Sequence, residues 1–179
     1  MLFEAPTKLA DGRYFLKITS DDKARVIHQV NNVTMSGQVT LNVSGHKDFF
    51  AGIDDAILTQ AKASKVEWFG KEISDETVTS AYQKSVNPEG ELSASFATIK
   101  GQVVTTAYDT QKNQIDVSTI EATTPVDVFL ELVGLVFTKR AFEPVWKVIQ
   151  VRVKGQPKSR FPREYMFADE EQEEDDLDL

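Results

Sequence analysis

VDVFLELVGLVF (Val126–Phe137) and, after the loop Thr138–Pro144, VWKVIQVRVK (Val145–Lys154) are the stretches on which the fold turns. Both are rich in β-branched and aromatic residues, and together they predict a long antiparallel strand pair. Gly134 interrupts the first run and predicts a bulge or sharp bend, as a curved sheet needs. In the second run strict alternation puts Ile149, Val151 and Val153 on one side. It puts Trp146, Val148, Gln150, Arg152 and Lys154 on the other. An indole, an amide, a guanidinium and an ammonium in a row form an unusual solvent face for a purely structural strand.

Working outward, strand patterns dominate. Arg13–Thr19 (RYFLKIT) alternates, with Tyr14, Leu16 and Ile18 opposite Arg13, Phe15 and Lys17. Ala24–Asn31, Gln38–Val43, Ser93–Lys100, Gln102–Tyr108 and Gln114–Ile120 read as further strands, with a turn near Asp109–Asn113. The middle changes period. Gly52–Phe69 carries Ile53, Ala56, Ile57, Ala61, Ser64 and Trp68 at helical spacing, and Gly70 is placed to stop it. Ser74 then caps a second helix, Asp75–Lys84. Asp54 and Asp55 read as helix-opening acids that favour the dipole. Trp68-Phe69 reads as a plug fastening the helix to the sheet.

The expected fold is mainly β with a helical insertion (α+β) at about 52–86. Among such folds, a five-stranded Greek-key OB barrel over residues 1–155 is a common solution, while a β-sandwich or another α+β arrangement stays open. Residues 156–168 read as a linker and 169–179 as a disordered acidic tail.

Charge is distributed unevenly. The chain has 20 bases and 28 acids, and eight of the acids lie in Asp169–Leu179 (DEEQEEDDLDL), so the body is neutral and the tail carries the net −8. Lys139–Arg163 holds eight bases against the single acid Glu143. A polyanion beside a cationic strand competes with whatever anion that strand binds. The absence of Cys excludes disulfides and thiol chemistry, and no apolar run is long enough to span a membrane. An intracellular setting without a secretion signal is expected.

Aromatic rings beside cations point to a track for single-stranded nucleic acid, where rings stack bases and cations follow phosphates. Trp146 with Gln150, Arg152 and Lys154 is one group. Phe15 between Arg13 and Lys17 is a second, Phe142 beside Lys139 and Arg140 a third, and Lys100 with Lys112 extends the groove. His28 and His46 lie in separate contexts that supply no metal-ligand set. No phosphate-cradling loop, nucleophile elbow or HExxH motif occurs, so neither enzyme chemistry nor a metal or other cofactor is expected.

Three stretches resemble the replicative single-stranded-DNA-binding proteins of short-tailed coliphages and large eukaryotic DNA viruses. They are SKVEWFGKEISDETVTSAY (Ser64–Tyr82), Phe96–Asp116 with its TTAYDTQKNQID, and DVFLELVGLVFTKRAFEPVWKVIQVRVK (Asp127–Lys154). The resemblance implies an OB-fold core, sequence-tolerant binding of single-stranded DNA, and protection of unwound DNA in viral replication and recombination, in the cytoplasm or nucleus of an infected cell. It also implies a homodimer. The tail residues Asp169, Glu170, Glu171, Glu173, Glu174, Asp175, Asp176, Leu177, Asp178 and Leu179 would contact a replicative polymerase or helicase. Phage members tend to end on an aromatic residue, whereas this chain ends Leu177-Asp178-Leu179. The rival reading is a protein-interaction module whose tail mimics nucleic acid and docks on basic partners. RNA binding is another.

Overall fold

The computed structural model describes residues 1–36 and 39–155. The linker 156–168 and the tail Asp169–Leu179 lie outside the described residues. The strands, in chain order, are β1 (Leu2–Phe3), β2 (Thr7–Lys8), β3 (Tyr14–Thr19), β4 (Val26–Ser36), β5 (Thr40–Asn42), β6 (Glu91–Ser93) and β7 (Ser95–Phe96). They continue as β8 (Thr98–Ile99), β9 (Gln102–Val103), β10 (Thr106–Tyr108), β11 (Gln114–Ile115), β12 (Val126–Phe137) and β13 (Phe142–Val153). Three helices stand between β5 and β6: α1 (Lys47–Ala63), α2 (Lys65–Phe69) and α3 (Asp75–Ala81).

The result is mainly β, with one open, mixed sheet whose spine runs β11-β10-β13-β12-β4-β5-β6. Strands β12 and β13 pair antiparallel over nearly their full length, while β10 and β7 lie parallel to β13. Strand β12 is long enough to hold two partners on its other edge. Val126–Leu132 pairs with β4, and Gly134–Phe137 pairs with β3. The switch occurs where the register slips between Leu132 and Gly134, leaving Val133 as the extra residue. Gly134 is required there for a steric reason. A Cβ on it would collide with the Leu16 carbonyl oxygen and come within 2.7 Å of the Phe15 ring.

The inner side of this spine is apolar, alternating along β12 from Val126 to Leu132 and resuming at Leu135 past the bulge. Val126, Val128, Leu130, Leu132 and Leu135 of β12 are buried against Leu16, Ile18, Val30, Val33 and Val151. Each such side chain contributes about 1.5–3 kcal/mol by leaving water. The helices cover one end of the core. Trp68 meets Phe137 edge-on at 6.1 Å, which makes it the plug the sequence suggested.

The helical run begins at Lys47 and breaks at Ser64 before Gly70 ends it in the left-handed conformation at φ 71°. With five more residues at its front, Asp54 is not a helix-opening acid. It lies mid-helix on the inward face and is buried. Its carboxylate accepts the Tyr82 hydroxyl at 2.7 Å, the Ser85 hydroxyl at 2.7 Å and the Ser85 N–H at 3.1 Å. Burial, then the adjacent Asp54 charge, pushes the Tyr82 phenol above its ordinary range. His28 stacks on Phe49 at 3.6 Å, and a His46 ring nitrogen meets the Asn31 carbonyl at 2.8 Å. Among the described residues no helix is long and apolar enough to cross a membrane.

Candidate nucleic-acid interface

Alternation along β13 does not hold from end to end. Phe129 pairs with Gln150, but its neighbour Leu130 pairs with Val148, so Ile149 is an extra residue in the ladder. One extra residue reverses which side every later side chain faces. Before Ile149 the inward residues are Phe142, Trp146 and Val148; after it the inward residue is Val151, while Arg152 faces out.

Two sequence expectations are corrected here, the first by this kink. Trp146 is only 2% exposed. Its indole meets Phe50 edge-on at 5.3 Å, and its Nε1–H donates to the Ser85 hydroxyl at 3.2 Å, joining the Asp54 network. It presents no face to a base. Phe142 is 1% exposed and stacks on Phe137 at 5.4 Å, with Phe69 and Tyr82 at its edges. The reason is strand length. Pairing starts at Phe137↔Phe142, so the loop is four residues, Thr138–Ala141, and Phe142 falls in register inside.

The far half of the strand builds a different surface. Phe129 is 39% exposed on the outer side of β12, between Asp127 and Glu131. In register with it lie Gln29 of β4 and Gln150 of β13. Gln29, Phe129, Gln150, Arg152 and the buried Asp127 line a shallow hollow of about 150 Å³. Tyr108 of β10 sits in register with Arg152 and continues the face. Gln150 is steadied by its amide N–H on the Thr106 hydroxyl at 3.2 Å.

Asp127 sets the charge of this surface. It accepts Arg152 Nη2 at 2.5 Å and the Asn32 N–H at 2.9 Å, with the Lys154 ammonium at 3.6 Å. Burial raises its carboxyl pKa, but the Arg152 hydrogen bond, the Asn32 N–H and the Lys154 charge together outweigh that, and it lies below the ordinary range. One guanidinium N–H is engaged, and the other donors of the mostly exposed Arg152 remain for an anion. Nearby, Arg25 grips Glu131 through two bonds of 2.7 and 2.5 Å, cancelling both charges.

The remaining predicted cations are scattered. Arg13 (ion-paired to Asp11 at 2.6 Å), Lys139 and Arg140 line one furrow with Tyr14 at the β3 end of the sheet. Lys17 is 3.5 Å from Glu4. Phe15 is half-buried, with its ring over Gly134. Lys100 and Lys112 occupy turns with positive φ, 49° and 68°, at the β8–β9 and β10–β11 connections. So the structure gathers Gln150, Arg152 and Lys154 in one place and Arg13, Lys139 and Arg140 in another.

Residues 25–169 match the model of a family of unknown function (DUF5871). The chain belongs to that family. No curated protein matches it. Among solved structures it is similar to the single-stranded DNA-binding protein from bacteriophage Enc34, at 12% identity and a TM-score of 0.44, over 90% of this chain and 97% of that one.

Within this DUF5871 chain the functional candidates that sequence reasoning passed over are Phe129, Gln29 and Tyr108. Phe129 was legible in principle. It alternates with Val128 and Leu130 and shares its parity with two acids, Asp127 and Glu131, so it belongs to the wet side. Gln29 and Tyr108 carry no such signal, because only strand pairing brings them beside it.

Proposed function

We propose that this chain binds single-stranded DNA without sequence preference, on the outer face formed by β4, β12, β13 and β10. The observation that carries the reading is Phe129: a phenyl ring open to solvent in mid-sheet, flanked in register by two amides and followed by a guanidinium. A base stacked on that ring gains about 1–3 kcal/mol whatever its identity. Gln29 and Gln150 offer both donors and acceptors to base edges, and Arg152 meets a phosphate with its free donors. In the same reading the bent β12 is the wall of an OB-like barrel, which typically presents a sheet face to oligonucleotides. The furrow of Arg13, Lys139 and Arg140 is a second phosphate contact at the end of that wall.

The sequence resemblance supports the wider part of the proposal. In it the protein is a binding protein rather than an enzyme, acts as a homodimer, and protects unwound DNA in viral replication and recombination. The tail Asp169–Leu179 competes with DNA for the cations and, once displaced, recruits a polymerase or helicase.

Anisotropy of labelled oligo-dT tests the core claim. The wild-type chain binds it, Phe129→Ala weakens binding about 5- to 150-fold, and RNA of equal length binds no more tightly. Tighter binding to RNA reassigns the site to RNA. Absence of binding to either leaves the face as a docking surface for another protein.

A further inference from the structure

The ribbon β8–β9 is bare where a hairpin of this composition ought to be covered. Among the described residues Ile99 is the most exposed large hydrophobic, at 62%, with Val103 at 53% and Val104 at 43%. Thr98 pairs with Val103 and Ile99 with Gln102, so Val103 lies on one face of the ribbon and Ile99 on the other. Val104, bonded by its N–H to the Ala97 carbonyl at 2.8 Å, shares the Ile99 side. The tip, Lys100-Gly101, has φ of 49° and 80°, the two positive angles of a tight two-residue turn. A two-stranded ribbon is marginal by itself. This one is held at its root, where Thr105 Oγ1 donates to the Val148 carbonyl at 2.6 Å and accepts the Ala97 N–H at 2.9 Å.

We propose that this ribbon is an apolar blade inserted between bases of the single strand that occupies the Phe129 hollow, a reading that rests on the proposed function. Three features select unpaired bases as the occupant. Each face of the ribbon carries an aliphatic side chain left uncovered by the described residues, Val103 on one and Ile99 with Val104 on the other, which suits insertion between two planar groups better than docking on one flat surface. Leu92–Tyr108 contains no acid and has Lys100 at the tip, so nothing in the segment repels phosphate. The root is continuous with the hollow, since Val148 anchors the ribbon and Gln150, bonded to Thr106, lines the site. Aliphatic wedges entering base steps are an established use of such side chains.

The test uses the full chain. The native indoles, Trp68 and Trp146, are buried, so an Ile99→Trp variant adds a reporter at the blade alone. Its emission falls when oligo-dT binds. The double variant Ile99→Ser/Val103→Ser changes only exposed side chains, and it loses about ten-fold in affinity for a long oligo-dT. It keeps wild-type affinity for one just long enough to cover the hollow. If wild-type and Phe129→Ala behave as proposed above, yet the double variant binds every length normally and the Ile99→Trp emission is unmoved, the blade is overturned and the sheet site stands. If the double variant instead alters sedimentation without altering DNA affinity, the ribbon serves self-association and the blade is likewise overturned. A wild-type chain that binds no single strand sinks both.

Discussion

The two halves of β13 are one strand with two assignments. From Phe142 to Val148 its aromatic residues face the helical segment and hold it, Trp146 meeting Phe50 and Ser85, and Phe142 meeting Phe69 and Tyr82. From Gln150 onward its polar residues face out beside Phe129 and Tyr108. Composition would assign the binding role to the first half, which has the indole. Geometry buries that indole and turns the polar residues of the second half outward, because Ile149 is inserted between them. The lesson is that in a sheet protein an aromatic's role follows its parity, and a single bulge resets parity.

The largest effect that sharpens this contrast is on stability. Trp146→Ala removes a buried ring and leaves Ser85 without its indole donor, so it costs about 3–5 kcal/mol in urea or thermal unfolding. The DNA affinity of the molecules that remain folded is unchanged. Loss of affinity at constant stability would return Trp146 to the interface. Phe129→Ala is the mirror image: about 1–3 kcal/mol lost from oligo-dT binding, with a melting temperature close to wild type. A variant that unfolds instead would make Phe129 a packing residue.

Smaller effects separate the charges. Arg152→Ala removes one phosphate contact, so the logarithmic dependence of affinity on salt becomes shallower by about 0.7. An unchanged slope would mean that Asp127 keeps the guanidinium fully occupied. The same variant shifts acid stability. The native Asp127 carboxyl lies below its ordinary value of 3.8, so it stabilises the fold above that pH and this contribution is lost as pH falls through the lowered native value. Without Arg152 its native pKa rises, and acid unfolding begins at higher pH, read by circular dichroism. Coincident acid transitions in the two proteins would argue against the pairing.

Much of the scaffold was legible beforehand. The strand-pair reading of Val126–Phe137 and its partner, the bend at Gly134, the helix stop at Gly70 and the Ser74 cap all rest on local chemistry, and each is present. Ser74 Oγ accepts the Thr77 N–H at 3.2 Å, the bond that makes serine a cap. The helix start was misplaced because Lys47–Ala51 lacks a capping side chain, and the N-cap residue His46 makes no side-chain capping bond, its ring going to the Asn31 carbonyl instead. The site was legible only in part. Gln150, Arg152 and Lys154 were named, Trp146 was placed on the wrong side, and Phe142 was read into the loop beside Lys139 and Arg140 when it belongs to the strand.

Sequence by itself determined that the two long strands form and pair, where the helices stop and are capped, and that charge is divided between a neutral body and an acidic end, because periodicity, turn chemistry and composition are local properties. Only the folded arrangement decided which aromatic meets solvent. That choice depends on Ile149 slipping the register against β12, on Asp127 holding Arg152 and Lys154, and on β4 and β10 delivering Gln29 and Tyr108. Such choices depend on contacts between segments distant in the chain.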